Sequence, residues 1–190
     1  MNSYDTFPRV NRILTDREYL KYIHEIEELE QDRIFCRHNM EHFLSVARIA
    51  CLLNYEEGTC VDRELIYAAS LLHDIGRGKE YLTGVRHEEE SARLAPHIIR
   101  RAGFSKEEEA LLISAIANHR NHKYSDKVKG KVTDKSNETD TGRPDSDDME
   151  EERLNSLIYR ADKLSRACFY CEASDKCHKS EDKKNIELLI

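Results

Sequence analysis

Residues 71–76 read Leu-Leu-His-Asp-Ile-Gly and place an imidazole beside a carboxylate after an apolar run. Upstream of this stretch, apolar side chains recur at helical spacing, which predicts a helix that begins near Asp62 and ends at Gly76. Adjacent residues of a helix diverge by about 100°. His73 and Asp74 can therefore share a metal ion only if both side chains bend towards it, or if Asp74 bridges two ions.

The helical pattern continues on both sides of this stretch. Capping boxes at residues 15–18 and 105–108 each place a hydroxyl and, three residues later, a carboxylate where a helix begins. Strand-like alternation and internal repeats are absent from the sequence, which therefore predicts an all-α fold, a compact bundle of helices. Pro96 is expected to kink one helix or to shift its start. Apolar stripes place the further helices at residues 15–26, 38–54, 87–102, 105–119 and 148–169.

The composition indicates a single domain. The chain has 190 residues, of which 39% are hydrophobic and 35% charged, and these fractions exclude a membrane protein. The net charge of −7 disfavours duplex nucleic acid as a partner. The N-terminus lacks the features of a signal peptide, which predicts a cytoplasmic protein with reduced thiols, and no sequence feature indicates the oligomeric state. We expect one domain over 1–190, with a core at about 15–170, a polar mobile loop at 123–150 and a cysteine-containing tail at 168–190.

Two other polar residues face inward on predicted helices. His42 precedes Val46 of a core-facing stripe by four residues, so its ring points into the core. A lone inward histidine is more often a satisfied core residue than a ligand. Asp162 lies between Ile158 and Ser165 on the last predicted helix, and a buried carboxylate without a partner is costly. A cation is a natural partner for it.

Three stretches in this order resemble the HD-domain metal-dependent phosphohydrolases, which include small stand-alone bacterial HD or HDIG-type hydrolases. They are residues 42–47 (His-Phe-Leu-Ser-Val-Ala), 71–76, and 159–163 (Tyr-Arg-Ala-Asp-Lys), and the resemblance covers about residues 33–170. It implies a helical bundle in which a divalent ion is held by His42, His73, Asp74 and Asp162. Imidazole ligands mixed with carboxylates suit iron, manganese, zinc, cobalt or nickel better than calcium.

Other histidines compete for a place in this site. His38 shares a helix face with His42, but the family's first histidine stands four residues before a Val-Ala pair, as His42 does, and His38 is then expected at the substrate mouth. His87 and His119 lie at the ends of core-facing stripes, with His122 three residues later. In binuclear members such additional histidines hold a second ion, with the first Asp bridging. His87 and His119 are therefore candidate ligands of a second metal, and in a mononuclear site they would instead bind substrate or hydrogen-bond.

The resemblance implies hydrolysis of a phosphate ester or anhydride of a nucleotide-like small molecule by a metal-activated water. Asp74, Lys79 and Lys163 are the candidate catalytic residues, and the two lysines are preferred to Arg77 as partners of the phosphate charge. The glycines at 76 and 78 lack the Gly-Lys-Ser/Thr ending of a P-loop and are expected to end the helix. The alternatives are a diadenosine tetraphosphate hydrolase with a dinuclear site and a non-catalytic ligand-sensing module.

The C-terminal tail carries a separate set of residues that can bind a metal ion. Cys168 and Cys171 form a Cys-x2-Cys pair that is followed by Cys177 and His178, a candidate structural zinc site. The alternative is reduced thiols packed in or near the core. Cys36 lies as far before the first predicted ligand as Cys168 lies after the last, six residues in each case. On continuous helices that separation turns each cysteine about 120° from the facing line, so Cys36 is left out of the predicted site.

Overall fold

The computed structural model describes residues 6–124 and 146–188. These residues form helices, short 3-10 turns and loops without a strand, which confirms the predicted all-α fold. Most of the predicted 123–150 loop lies outside the described residues. The helices in chain order are α1 (Pro8–Leu14), α2 (Arg17–Leu29), α3 (Met40–Glu56), α4 (Arg63–Leu72), α5 (Arg77–Thr83), α6 (His87–Ala102), α7 (Lys106–Asn118) and α8 (Ser146–Leu164).

The core lies between helices that are distant in sequence. α3 packs along α4 and α8, and α7 packs along α6 and α8, so that these five helices surround one apolar interior. α1 was not predicted from the sequence, and it lies before the expected start of the core. Its Val10 and Ile13 are nevertheless buried in the same interior. In the described part of the chain, no helix combines the length and the apolar character needed to cross a membrane.

Of the two predicted capping boxes, one forms and the other does not. Ser105 forms the predicted capping box with Glu108, and both of its reciprocal hydrogen bonds are present. The capping box predicted at Thr15 is wrong, because Thr15 ends α1 and its hydroxyl donates to the carbonyl of Asn11 at 3.0 Å. Asp16 caps α2 instead, and its carboxylate accepts the amide N–H of the second and third helical residues. The unpredicted α1 displaces the cap by one residue.

Other boundaries agree only in part with the prediction. α6 spans His87–Ala102 and ends before Gly103 as predicted, and Pro96 lies inside it without shifting its start. Gly103 has a left-handed φ of 93°. The ends of the predicted polar loop belong to ordered elements, since Tyr124 is fully buried in a 3-10 turn and α8 begins at Ser146. α8 ends at Leu164 and does not reach Phe169, which is half exposed in a later 3-10 turn.

Gly76 does not end a helix as expected. α4 ends at Leu72, and Gly76 begins α5 with an ordinary right-handed φ of −81°. Its amide donates to the hydroxyl of Ser91 at 2.9 Å, and a Cβ added to it would lie 2.6 Å from both the carbonyl oxygen of His87 and the amide of Ser91. The glycine allows α6 to approach the turn that carries His73 and Asp74.

Gly76→Ala is therefore expected to lower the free energy of unfolding by roughly 1–3 kcal/mol, the usual cost of overpacking. The clashing atoms belong to the backbone of α6 and cannot rotate away. Chemical denaturation measures the loss. Gly78→Ala is the matched control, because the nearest atoms there are Cγ and Cδ of the flexible Glu25 side chain, at 3.1 and 3.2 Å. Equal losses in the two variants would contradict this account of Gly76.

Candidate metal centre

Three helices bring the first predicted ligands together. His42 comes from the first turn of α3, His73 follows the last residue of α4, and Asp162 comes from the last turn of α8. One ligand atom from each of these three residues lies within 4.8 Å of the other two. The Nε2 atom of His42 is 3.7 Å from Oδ1 of Asp162 and 3.8 Å from Oδ2 of Asp74. We call these three residues, together with Oδ2 of Asp74, the first ligand group.

A second ligand group lies on the other side of the Asp74 carboxylate. It consists of Oδ1 of Asp74 with the Nε2 atoms of His87 and His119, at 3.1 and 3.5 Å from that oxygen. Oδ2 of Asp74 faces the opposite way, 3.3 Å from Nε2 of His73. His122 is exposed on a 3-10 turn and lies outside both groups. Each oxygen of Asp74 thus faces a different set of imidazoles, which is the arrangement of a bridging carboxylate.

Outer partners orient these rings so that Nε2 faces the centre. Nδ1 of His73 donates to the carbonyl of Ser70 at 2.7 Å, and Nδ1 of His119 donates to the carbonyl of Ile116 at 2.6 Å. A carbonyl oxygen only accepts, so Nδ1 carries the hydrogen and Nε2 of the neutral ring presents its lone pair. Nδ1 of His87 is held in the same way by Glu80 at 2.9 Å. This pattern of outer hydrogen bonds is typical of histidine metal ligands.

The inner atoms lack partners of their own. Nε2 of His42, Nε2 of His73 and Oδ1 of Asp74 are buried without a hydrogen bond. Nε2 of His87 and Nε2 of His119 lie 3.2 Å apart, although both rings donate through Nδ1 elsewhere. Two neutral rings of that tautomer would oppose lone pairs. Buried acceptors that converge without hydrogen bonds fit divalent cations in both groups.

The charges of the centre suit metal binding. Burial raises the pKa of Asp74, but Arg77 and the nearby histidines outweigh burial and hold that pKa well below its usual value. The pKa of Asp162 is held low in the same way, chiefly by Lys163. Burial lowers the pKa of His87 to about 4. The two carboxylates are therefore ionised and His87 is neutral at neutral pH, the states in which these groups bind metals.

His38 also reaches the centre, although the sequence places it at the substrate mouth. Its Nε2 is 3.7 Å from Oδ2 of Asp74, and its Nδ1 contacts Oε1 of Glu30 at 2.5 Å. Tyr81 donates to the same Glu30 oxygen. Sequence reasoning missed Glu30 and Tyr81, because nothing local distinguishes Glu30 from the other glutamates at the end of α2.

The sequence predicts Lys79 and Lys163 as the cations of the centre, and the structure agrees for one of them. Lys79 is exposed on α5, where its charge acts on Glu90. Arg77 is the cation of this segment that reaches the centre, with Nε 3.3 Å from Oδ1 of Asp74. Lys163 contacts Asp162 as expected from its position, and it also donates to the carbonyl of His119 at 3.3 Å. The structure therefore brings Lys163 to the centre, and Arg77 in place of Lys79.

The tail cysteines lie apart from this centre. Cys168, Cys171 and Cys177 line one small cavity, and Cys36 joins them there. The ring of His178 packs edge-on against Phe35, with the two centroids 6.3 Å apart. Cys36 is thus the fourth cysteine that lines the cavity, and His178 is not among the lining residues.

Comparison with known proteins agrees with this architecture. The model of the HD domain matches residues 39–167. An uncharacterized protein of Clostridium beijerinckii is 36% identical over 180 residues, which cover 95% of this chain and 98% of that relative. Among solved structures, none matches the chain. The matched segment spans all four predicted ligands and both candidate second-metal histidines, and the chain belongs to the HD domain family, a family of metal-dependent phosphohydrolases.

Proposed function

We propose that this protein hydrolyses a phosphate ester or anhydride of a nucleotide-like small molecule, and that it does so with two divalent ions. The observation that carries the proposal is the split of the Asp74 carboxylate between the two ligand groups. The first group would hold one ion, and the second group would hold the other. The mixed imidazole and carboxylate ligands suit iron, manganese, zinc, cobalt or nickel.

When bound, divalent ions lower the pKa of a coordinated water towards 7 and polarise a phosphoryl oxygen. The protein's own groups do the rest. The outer hydrogen bonds hold each Nε2 in place, so that the site is organised before substrate arrives. Lys163 and Arg166 both neutralise Asp162 in this structure, with Nη2 of Arg166 3.7 Å from its Oδ2. With an ion held at Asp162, Lys163 and Arg166 would be available for the phosphate charge.

The presence of two ligand groups supports one alternative among the substrates. Two ions held there would supply charge for both the attacking and the leaving oxygen at a polyphosphate bridge. The separate positions of Oδ1 and Oδ2 of Asp74 therefore support diadenosine tetraphosphate as a second candidate substrate. We also propose a small-molecule partner in preference to duplex nucleic acid, since the chain carries a net charge of −7. The cytoplasmic location and the absence of a membrane partner stay predictions.

The test is metal-dependent phosphate release. We expect protein stripped with a chelator to lose activity and to regain it with one of the five candidate ions. The substrates screened are p-nitrophenyl phosphate, nucleoside mono- and triphosphates and diadenosine tetraphosphate. Release that survives complete removal of metal would contradict the mechanism. Nucleotide binding without turnover, with every candidate ion, would favour the ligand-sensing module.

A further inference from the structure

Four of the six cysteines meet at one cavity that the proposed reaction does not use. Cys36, Cys168, Cys171 and Cys177 line it, with Lys179 and Lys184 at its edge. The cavity has room for an ion or a single water and none for an organic ligand. All four cysteines are free thiols in this structure.

Cys36 and Cys168 do not lie on continuous helices, so the helical rotation that excludes Cys36 from the predicted site does not apply. Cys36 lies in the loop between α2 and α3, and α8 ends at Leu164, before the first tail cysteine. Helical rotation therefore does not separate Cys36 from Cys168. The tail turns back towards the loop through 3-10 turns at Cys168–Tyr170 and Ser174–Lys176, and Cys171 and Cys177 each end one of them.

The tail is held in place with little help from apolar burial. Among the described residues after α8, Ala173 is the one hydrophobic residue that is buried, while Phe169 and Tyr170 are 50% and 85% exposed. The side-chain amide of Asn185 donates to the carbonyls of Lys163, Leu164 and Arg166 and so caps the end of α8. A segment of this size without a core of its own usually depends on disulfides or a structural metal.

The charges around the cavity suit bound thiolates. Four thiolates and a divalent ion carry a net charge of −2, which calls for nearby cations. Lys179 and Arg166 both act on Cys36. The ammonium of Lys184, a third cation at the cavity, donates to the carbonyl of Ser174 at 3.0 Å and forms an ion pair with Glu181 at 2.6 Å.

We propose that Cys36, Cys168, Cys171 and Cys177 bind one structural zinc ion as four thiolates. A tetrahedral zinc with four protein ligands has no open position for catalysis. In the described residues no three of these sulfurs lie within 4.8 Å of one another. In the proposed site they would move closer together around the ion. The ion ties the loop before α3, which carries His42, to the end of α8, which carries Asp162.

The experiment measures zinc in the full-length protein, purified under reducing and anaerobic conditions. Elemental analysis gives the number of ions, and X-ray absorption at the zinc edge identifies sulfur ligands by a shell at about 2.3 Å. We expect one sulfur-bound zinc per chain, in addition to any ion at the histidine centre. Cys36→Ser and Cys168→Ser are each expected to remove it. A sulfur shell distinguishes this site from the proposed catalytic centre, so the two proposals can fail separately.

Two variants make the result specific. Cys60→Ser is the matched control, because Cys60 is exposed and lies outside the cavity, and it is expected to keep the zinc. His178→Ala is also expected to keep it. Loss of the zinc in His178→Ala with retention in Cys36→Ser would overturn the four-cysteine site. The absence of a sulfur shell in the wild type, a disulfide among the four residues, or an iron–sulfur chromophore would overturn it as well. Circular dichroism identifies any variant that fails to fold, and Cys171→Ser then takes its place.

Discussion

Asp74→Asn is expected to reduce phosphate release by at least about 10³-fold while the protein stays folded. Loss of a single oxyanion donor costs enzymes about 10²–10³ in rate. Asp74 contributes to both ligand groups, so the variant weakens both ions at once. The amide has the shape of the carboxylate but lacks its charge, and one of its two ends is a donor that faces imidazole Nε2 atoms. Phosphate release at saturating metal, with circular dichroism as the check on folding, measures the effect.

Asp32→Asn is the matched control for this change. Asp32 is exposed in the loop after α2 and belongs to neither ligand group. Its substitution is expected to leave both the rate and the metal content unchanged. If Asp74→Asn kept wild-type turnover, Asp74 would not be the bridging ligand and the proposed reaction would lose its basis.

His87→Ala is expected to lower the metal content from two ions to one and to weaken binding of the second ion by at least about 100-fold. Mutation of a residue that hydrogen-bonds to a metal ligand already lowers metal affinity by about 10–100-fold. Loss of the ligand itself should lower the affinity at least as much. Nε2 of His87 is the atom of the second group that lies nearest to Oδ1 of Asp74, at 3.1 Å. Elemental analysis and titration of stripped protein with manganese measure the two quantities.

His97→Ala is the control, because His97 is exposed on the same helix α6. It is expected to retain both ions. One ion in the wild type and one in His87→Ala would show a mononuclear centre, and the case for diadenosine tetraphosphate would weaken with it. A fall in turnover without a change in stoichiometry would assign His87 to substrate binding instead.

The sequence predicted the helical class well because the spacing of apolar residues marks the face that each helix buries, and that spacing lies within a single helix. Ser105 forms its capping box from residues only three positions apart, so the sequence alone suffices there. The capping box at Thr15 fails because α1 is only seven residues long and was not predicted, and Thr15 is the C-cap of that helix.

The candidate site was also predicted in part from the sequence, while the rest depends on the tertiary structure. His42, His73, Asp74 and Asp162 were selected by their motif order and by the helix faces on which they lie. The structure adds how they meet, because the separation of the two Asp74 oxygens depends on where α6 and α7 deliver His87 and His119. Nothing in the sequence near Glu30 marks it as the partner of His38.

The sequence by itself determined the all-α class, most of the helices, and the residues whose chemistry suits a metal. These features depend on side chains within about one turn of each other, and local periodicity records them. Only the tertiary structure decided that Gly76 is needed for the approach of α6, that Arg77 and not Lys79 faces the centre, and that Cys36 joins the tail cysteines. Each of these depends on the distance between segments far apart in the chain. Packing of the whole interior sets those distances, and no local pattern carries them.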